Sequence, residues 1–193
     1  MISYDFPLYR PPSEAESLIF QVTLGCSHNR CRFCSMYQSK RFCIRPEEEI
    51  LTEIQRASFN FPQTRRVFLA DGDALVLKTP ALVRILSALK TAFPGLRRVS
   101  TYANARNLLS KSPEELSLLC KEGLSLVYLG LESGDAEILK RMEKGSTPEE
   151  NIEAVLKARA AGLKTSVMVI SGLGGKTRSR EHALTSAAAV SAM

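Results

Sequence analysis

The sequence predicts an α/β protein built on a parallel sheet, and three observations carry that expectation. Short β-rich apolar runs alternate with longer stripes of helical period, the pattern of repeated βα units. Hydroxyl-Pro-Glu-Glu caps recur at Ser112-Pro113-Glu114-Glu115 and Thr147-Pro148-Glu149-Glu150, and such caps start helices. The chain of 193 residues, 45% hydrophobic and 24% charged, is long enough to bury roughly two thirds of its unfolded surface without cross-links.

Each element follows in order. Residues 1–16 read as an N-terminal arm and 17–193 as one core domain, because no composition shift, linker or repeat divides the chain. The strands are expected at Ser17 to Thr23, Arg66 to Ala70, Arg98 to Tyr102, Leu126 to Leu131 and Lys164 to Ile170. Helices are expected over Pro46 to Ala57 and Pro80 to Phe93. The helix after Pro113 puts Leu116, Leu119 and Cys120 on one face and stops at Gly123; the helix after Pro148 does so with Ile152, Val155 and Leu156 before Gly162,. A last helix begins near Arg180 and runs toward Met193 with no following strand. The expectation is a core truncated after its fifth βα unit, with an uncovered edge at the fifth strand.

Composition narrows the class further. The sequence lacks a run of ~18 apolar residues, and MISYDFPLYRPPSEAE lacks a signal peptide's apolar core,. A cytoplasmic protein is expected. Lysine and arginine number 26 against 20 aspartate and glutamate, a net charge of +6. That balance permits an acidic partner without selecting one, and no clear nucleic-acid site or membrane segment is visible. Five cysteines, an odd number with three bunched together, point to metal or redox chemistry in a reducing compartment.

Those three lie in a stretch without periodicity from Leu24 to Arg45, Cys26-Ser27-His28-Asn29-Arg30-Cys31-Arg32-Phe33-Cys34. A loop of that length inside a compact domain is usually functional. Two chemistries fit. Structural zinc wants four protein ligands and would recruit His28 or Cys43. An iron-sulfur cube held by three cysteines leaves one iron free of protein and able to chelate a small molecule. The run Gly172-Leu-Gly-Gly-Lys-Thr177 lacks the first glycine of a phosphate loop, because Ile170 stands there,. Cys120 reads as a small core residue, and Cys43 as a loop thiol.

The strand, the three-cysteine loop with an aromatic residue before its last cysteine, and the βα units that follow resemble the radical S-adenosylmethionine (radical SAM) superfamily. GCSHNRCRFCSMY and YLGLESGDAEILKRMEKG look like its branch of oxygen-independent coproporphyrinogen oxidase-like and related iron-sulfur oxidoreductases. The first interval, C-x4-C-x2-C, is one residue longer than the family's usual C-x3-C-x2-C. The resemblance implies a partial (β/α) barrel with helices outside. It implies that Cys26, Cys31 and Cys34 hold a 4Fe-4S cluster, whose fourth iron binds S-adenosylmethionine. Reductive cleavage then gives a 5′-deoxyadenosyl radical that abstracts hydrogen from a substrate. Phe33 would pack near the adenine.

Ligands of such folds sit at the carboxyl ends of the strands. Asp71-Gly72-Asp73 stands where the family's Gly-Gly-Glu-like segment receives the methionine ammonium. Glu132, directly behind an apolar run, needs a partner for its charge, and the resemblance aims it at the cofactor. Lys144 falls where relatives carry a base for the methionine carboxylate, and Tyr102 and Asn104 where they contact the ribose. The basic residues Arg30, Arg32, Lys40, Arg41 and Arg45, with no acidic residue among them, suit an anionic cluster and an acidic electron donor, flavodoxin or ferredoxin. The readings from other classes are a zinc-stabilised binding module and an inactive radical SAM fragment.

Overall fold

The computed structural model describes residues 2–193. In chain order its elements are β1 (Leu18–Gln21), β2 (Thr23–Leu24), β3 (Cys43–Ile44), α1 (Glu47–Asn60), β4 (Arg66–Ala70), α2 (Thr79–Ala92), β5 (Arg98–Ala103) and α3 (Ala105–Ser110). There follow α4 (Pro113–Lys121), β6 (Leu124–Glu132), α5 (Ala136–Arg141), α6 (Pro148–Ala160), β7 (Lys164–Val169) and α7 (Ser179–Ser191). Five parallel strands pair in the order β1-β4-β5-β6-β7, as successive βα units dictate, and β2 pairs antiparallel with β3.

The expected first strand is divided. At Val22 the chain leaves the parallel ladder: its amide donates to Ala70 and its carbonyl accepts from Arg45. Thr23 and Leu24 then pair with Ile44 and Cys43, closing the two ends of the cysteine loop against each other. Both hydroxyl caps form complete capping boxes, Ser112 with Glu115 and Thr147 with Glu150. The buried face of α6 differs from the expected one. Asn151, Ala154, Val155 and Ala158 face inward, whereas Leu156 is exposed, because small side chains let the helix lie close to α3 and α4. Two short helices escaped the periodic reading, α3 capped by Asn104 and α5 by Asp135; six residues give less than two turns of pattern.

The two-residue period of the strands separates two cores. Val67, Leu69, Val99, Val127 and Leu129 point outward into a large apolar layer with Ile50, Ile54, Leu82, Leu86, Leu116 and Val155 of the helices. Phe68, Ala70 and Tyr128 point the other way, joined by Tyr102 and Met168. On this inner face Phe68, Tyr102 and Tyr128 meet edge to face, with centroids 5.2 to 6.3 Å apart. The arm packs on the same face: Tyr4 and Leu8 join the cluster, and the Tyr4 hydroxyl donates to Ile19 O at 3.1 Å.

The last helix docks on the β6–α5 turn. Arg178 grips Asp135 through two nitrogens at 2.9 and 2.7 Å, the Ser133 hydroxyl meets His182 Nδ1 at 2.8 Å, and Gly134 N donates to Ser186 Oγ at 2.8 Å. A side chain on Gly134 would overlap the Thr185 carbonyl, so glycine permits this approach. The outer edge, β7, is partly exposed along its length, with Val169 exposed at its end. Among the described residues no helix is long and apolar enough to cross a membrane.

Glu14 binds the arm to the sheet. It is fully buried, accepts from Tyr128 Oη at 2.7 Å and from the Ser17 hydroxyl, and pairs with Arg98 at 2.9 Å. Burial pushes its pKa up, but hydrogen bonds from Ser17, Tyr128 and Ser100, with the Arg98 charge, outweigh burial and hold it below the usual carboxylate range. A pKa depressed by folding contributes stability above the unfolded pKa, and that contribution is lost as pH falls through the folded value. Glu14→Ala, which strands the Tyr128 and Ser17 donors, is expected to cost about 1–3 kcal/mol near neutrality. The deficit should shrink toward acid; urea denaturation at several pH values measures both.

Candidate functional site

A cavity of about 440 Å³ opens on the inner face at the carboxyl ends of the strands. The cysteine loop roofs it: Cys26, Cys31 and Cys34 all line it, with Phe33 and Tyr37 beside them. Strand-end residues Gly72, Tyr102, Asn104, Gly130 and Glu132 form its wall, and Lys144 reaches in from the α5–α6 connection. Nine of the eleven residues expected from the sequence therefore meet here together with Arg106. Burial, countered by Lys144 and reinforced by Cys26, Cys34 and Glu132, pushes the Cys31 thiol up to about 11. Burial, then Tyr128 and Cys34, pushes the Tyr102 phenol up to about 12.

Asp71 and Asp73 stand elsewhere, outside the cavity wall and fully buried. Asp71 accepts from Gly25 N at 3.0 Å, Lys40 Nζ at 2.9 Å and Gln21 Nε2 at 3.1 Å. Asp73 accepts from Asn107 Nδ2 at 2.5 Å and from the Ser27 hydroxyl. Burial raises the pKa of Asp73 despite these bonds. The carboxylates expected to meet an ammonium are occupied in holding the cysteine loop, and only Gly72 between them faces the cavity.

Glu132 and Lys144 form an ion pair of 3.2 Å at the cavity wall, which supplies the partner that a charge behind an apolar strand requires. Space for it comes from Gly130, where a side chain would collide with the Glu132 carboxylate and lie 3.1 Å from Lys144 Nζ. Glu132 is left-handed, with φ 65°, and the β6–β7 register shifts between Gly130 and Glu132. Such a conformation costs of order 1–3 kcal/mol and collects at functional sites. Lys144 also lies 5.8 Å over the Phe33 ring, linking the strand end to the loop. The Asn104 side chain caps α3 through Oδ1 at 2.9 Å, while its buried Nδ2 has no partner.

A second set of contacts fastens the loop from outside. His28 Nε2 meets Glu143 O at 2.6 Å, Arg106 approaches His28 Nδ1 at 3.4 Å, Arg32 N donates to Met142 O at 3.0 Å, and Arg32 pairs with Glu143. With both nitrogens engaged, His28 is committed to the α5–α6 connection, and Cys43 lies exposed on β3 outside the cavity. Of the two residues suggested as a fourth zinc ligand, His28 lines the cavity with the three thiols but has its ring nitrogens engaged by Glu143 and Arg106, and Cys43 stands outside it. Among the described residues, no three His, Cys, Asp or Glu side chains stand close enough to share one metal ion.

The basic loop is divided as well. Lys40 is buried between Asp71 and Asp5, Arg45 pairs with Glu53, and Arg32 with Glu143. Arg30 and Arg41 are exposed. Sequence reasoning passed over Gly130, Arg106 and Tyr37; the signal available for Gly130 was a lone glycine inside a strand pattern. Gly72→Ala would bring a methyl within 2.9 Å of Tyr37 Cε2 and 3.1 Å of Cys26 Cβ. Overpacking of this kind costs about 1–3 kcal/mol; the expected outcome is a lowered melting temperature and less metal retained per chain, measured by thermal denaturation and elemental analysis.

The family model described as the radical SAM superfamily matches residues 20–187. An uncharacterized methyltransferase of Pyrococcus horikoshii is 28% identical over 190 residues, covering 94% of this chain and 39% of that protein. Among solved structures, the radical S-adenosylmethionine methyltransferase TsrM from Kitasatospora setae, with cobalamin and a [4Fe-4S] cluster bound, superposes with a TM-score of 0.69 at 22% identity, covering 91% of this chain and 34% of that one. Coproporphyrinogen III oxidase from Escherichia coli does so at 0.64 and 17% identity, over 90% and 41%. The chain thus spans about two fifths of the curated relative's length, and the likeness to the solved structures is one of fold. Family match, parallel βα architecture and the cysteine-roofed cavity agree: the chain belongs to the radical SAM superfamily, whose cofactors are a 4Fe-4S cluster and S-adenosylmethionine.

Proposed function

We propose that this chain is the core of a radical SAM enzyme in which Cys26, Cys31 and Cys34 hold the cluster. The observation that carries the reading is the convergence of three thiols on the cavity that also receives Gly72, Asn104, Glu132 and Lys144. The donor set fits: three sulfurs on a loop fixed at both ends leave one iron open for a chelating small molecule. When bound, cluster and S-adenosylmethionine supply a 5′-deoxyadenosyl radical, which abstracts hydrogen from a substrate.

The chain's own residues bind and orient. Gly72 lets the backbone approach the methionine end. Lys144 offers its ammonium to the methionine carboxylate, and Glu132, its partner, offers an acceptor to the amino or hydroxyl groups. The free Asn104 Nδ2 is a donor for the ribose, with the Tyr102 phenol on the same wall. Phe33 gives an apolar surface for the adenine, and Tyr102, Tyr128 and Met168 exclude water from the inner face. Exposed Arg30 and Arg41 suit an acidic flavodoxin or ferredoxin as electron donor. The activities of structurally similar proteins differ, methyl transfer in one and coproporphyrinogen oxidation in another, so the reaction beyond hydrogen abstraction is left to the substrate.

Anaerobic reconstitution with iron and sulfide tests the assignment. The brown wild-type chain should lose most of its iron in Cys26→Ser, Cys31→Ser and Cys34→Ser, and keep it in Cys43→Ser and Cys120→Ser. Wild type under strong reductant should release methionine from S-adenosylmethionine. A colourless protein holding zinc would overturn the reading.

A further inference from the structure

Tyr37 follows the last loop cysteine by three positions and is only 3% exposed. Its ring and its backbone carbonyl are both held. Tyr9 meets it edge-on at 5.6 Å, while Asn29 Nδ2 and Lys40 N both donate to its carbonyl, at 2.9 and 3.0 Å. The ring edge and Cys26 both abut Gly72, since a methyl there would lie 2.9 Å from Tyr37 Cε2 and 3.1 Å from Cys26 Cβ. Tyr37 lines the same cavity as the three loop cysteines. Yet its buried hydroxyl has no hydrogen-bond partner, although leaving such a donor unmade costs about 1–3 kcal/mol.

Tyr102, Cys26 and Cys34 line the same cavity as this phenol, and the charge of Asp71 also reaches it. Both oxygens of Asp71 already accept hydrogen bonds from Gln21, Gly25 and Lys40, and Tyr102 makes no bond to it. Cys26 and Cys34 share the cavity with the phenol, and Cys26 abuts Gly72 beside the Tyr37 ring edge. We propose that the Tyr37 hydroxyl donates a hydrogen bond to the sulfur shell of the cluster at the side held by Cys26 and Cys34, and so raises the cluster's reduction potential. This rests on the three-cysteine assignment above. Reduction adds one electron to an anionic group, and an O–H dipole aimed at its sulfurs stabilises the added charge.

The experiment is a redox titration of anaerobically reconstituted protein, followed by electron paramagnetic resonance of the reduced cluster. Tyr37→Phe keeps the ring and removes the donor. It should bind iron and sulfide like wild type and show a more negative midpoint, with the reduced-to-oxidised ratio lowered up to tenfold at fixed ambient potential, about 59 mV for one electron. Tyr9→Phe removes a neighbouring hydroxyl that is outside the cavity and should leave the midpoint in place. An unchanged midpoint in iron-replete Tyr37→Phe overturns the proposal, as does an equal shift in Tyr9→Phe or a loss confined to S-adenosylmethionine affinity. If Tyr37→Phe holds no iron, a fluorinated tyrosine at position 37, a stronger donor, must raise the midpoint; an unmoved midpoint again overturns it. Wild type that binds no cluster would overturn the cysteine assignment itself, a different failure from an unshifted potential.

Discussion

A buried carboxylate holds the site together. Asp71 directly follows β4 and collects donors from three directions: Gln21 at the end of β1, Gly25 at the start of the cysteine loop and Lys40 near its end. Lys40 in turn bonds Asp5 of the arm, so arm, loop and two strands share one charge network. A buried ion pair of this kind is weak evidence for net stability, and removing one partner is strongly destabilising because the other is left uncompensated. Its consequence here is positional. A loop with no secondary structure between β2 and β3 is fixed at its entrance and its exit, and the three cysteines inherit that placement. Asp73, through Ser27 and Asn107, adds a second fixture next to the first cysteine.

Much of this was legible in the sequence because it is local. Strand β4 fell on the expected residues Arg66 to Ala70, and both capping boxes formed where the hydroxyl-Pro-Glu-Glu runs stood. Two turns of period or one cap suffice to mark such elements. The direction of a side chain at a strand end is not local. Asp71 and Asp73 flank Gly72, and alternation alone would turn one way or the other with each residue; the loop donors that claim both carboxylates come from positions many residues earlier. The same limit hid Tyr37. Three residues past a cysteine, it reads as one more loop aromatic, and only packing shows its hydroxyl buried without a partner.

The inner face combines what a stable fold avoids. Glu132 adopts a left-handed backbone, Gly130 leaves a strand interior without a side chain, and two donors, Asn104 Nδ2 and the Tyr37 hydroxyl, are buried without acceptors. Each feature weakens the chain by amounts of order 1 kcal/mol. The outer face is more regular: its strands and helices pack Val, Leu and Ile into one continuous layer, interrupted on α6 by the buried, unpartnered Oδ1 of Asn151. Most apolar burial therefore lies on one side of the sheet, and most departures from the ordinary rules on the other,.

That division explains how one scaffold serves relatives of different activity. Outward residues of a strand settle the helix packing, inward residues the cavity, and because they alternate, either set can change without moving the other. The unpaired donors also set a direction for binding. A cavity whose polar groups lack partners is stabilised by whatever satisfies them, and a ligand that binds only the folded state raises its stability by mass action. The polar groups left open line the loop side and the strand ends, while Phe68, Tyr102 and Tyr128 close the deeper inner face with aromatic contacts. The space under the cysteine loop thus combines open polar groups at its rim with an apolar surface beneath, the arrangement on which the proposed function rests.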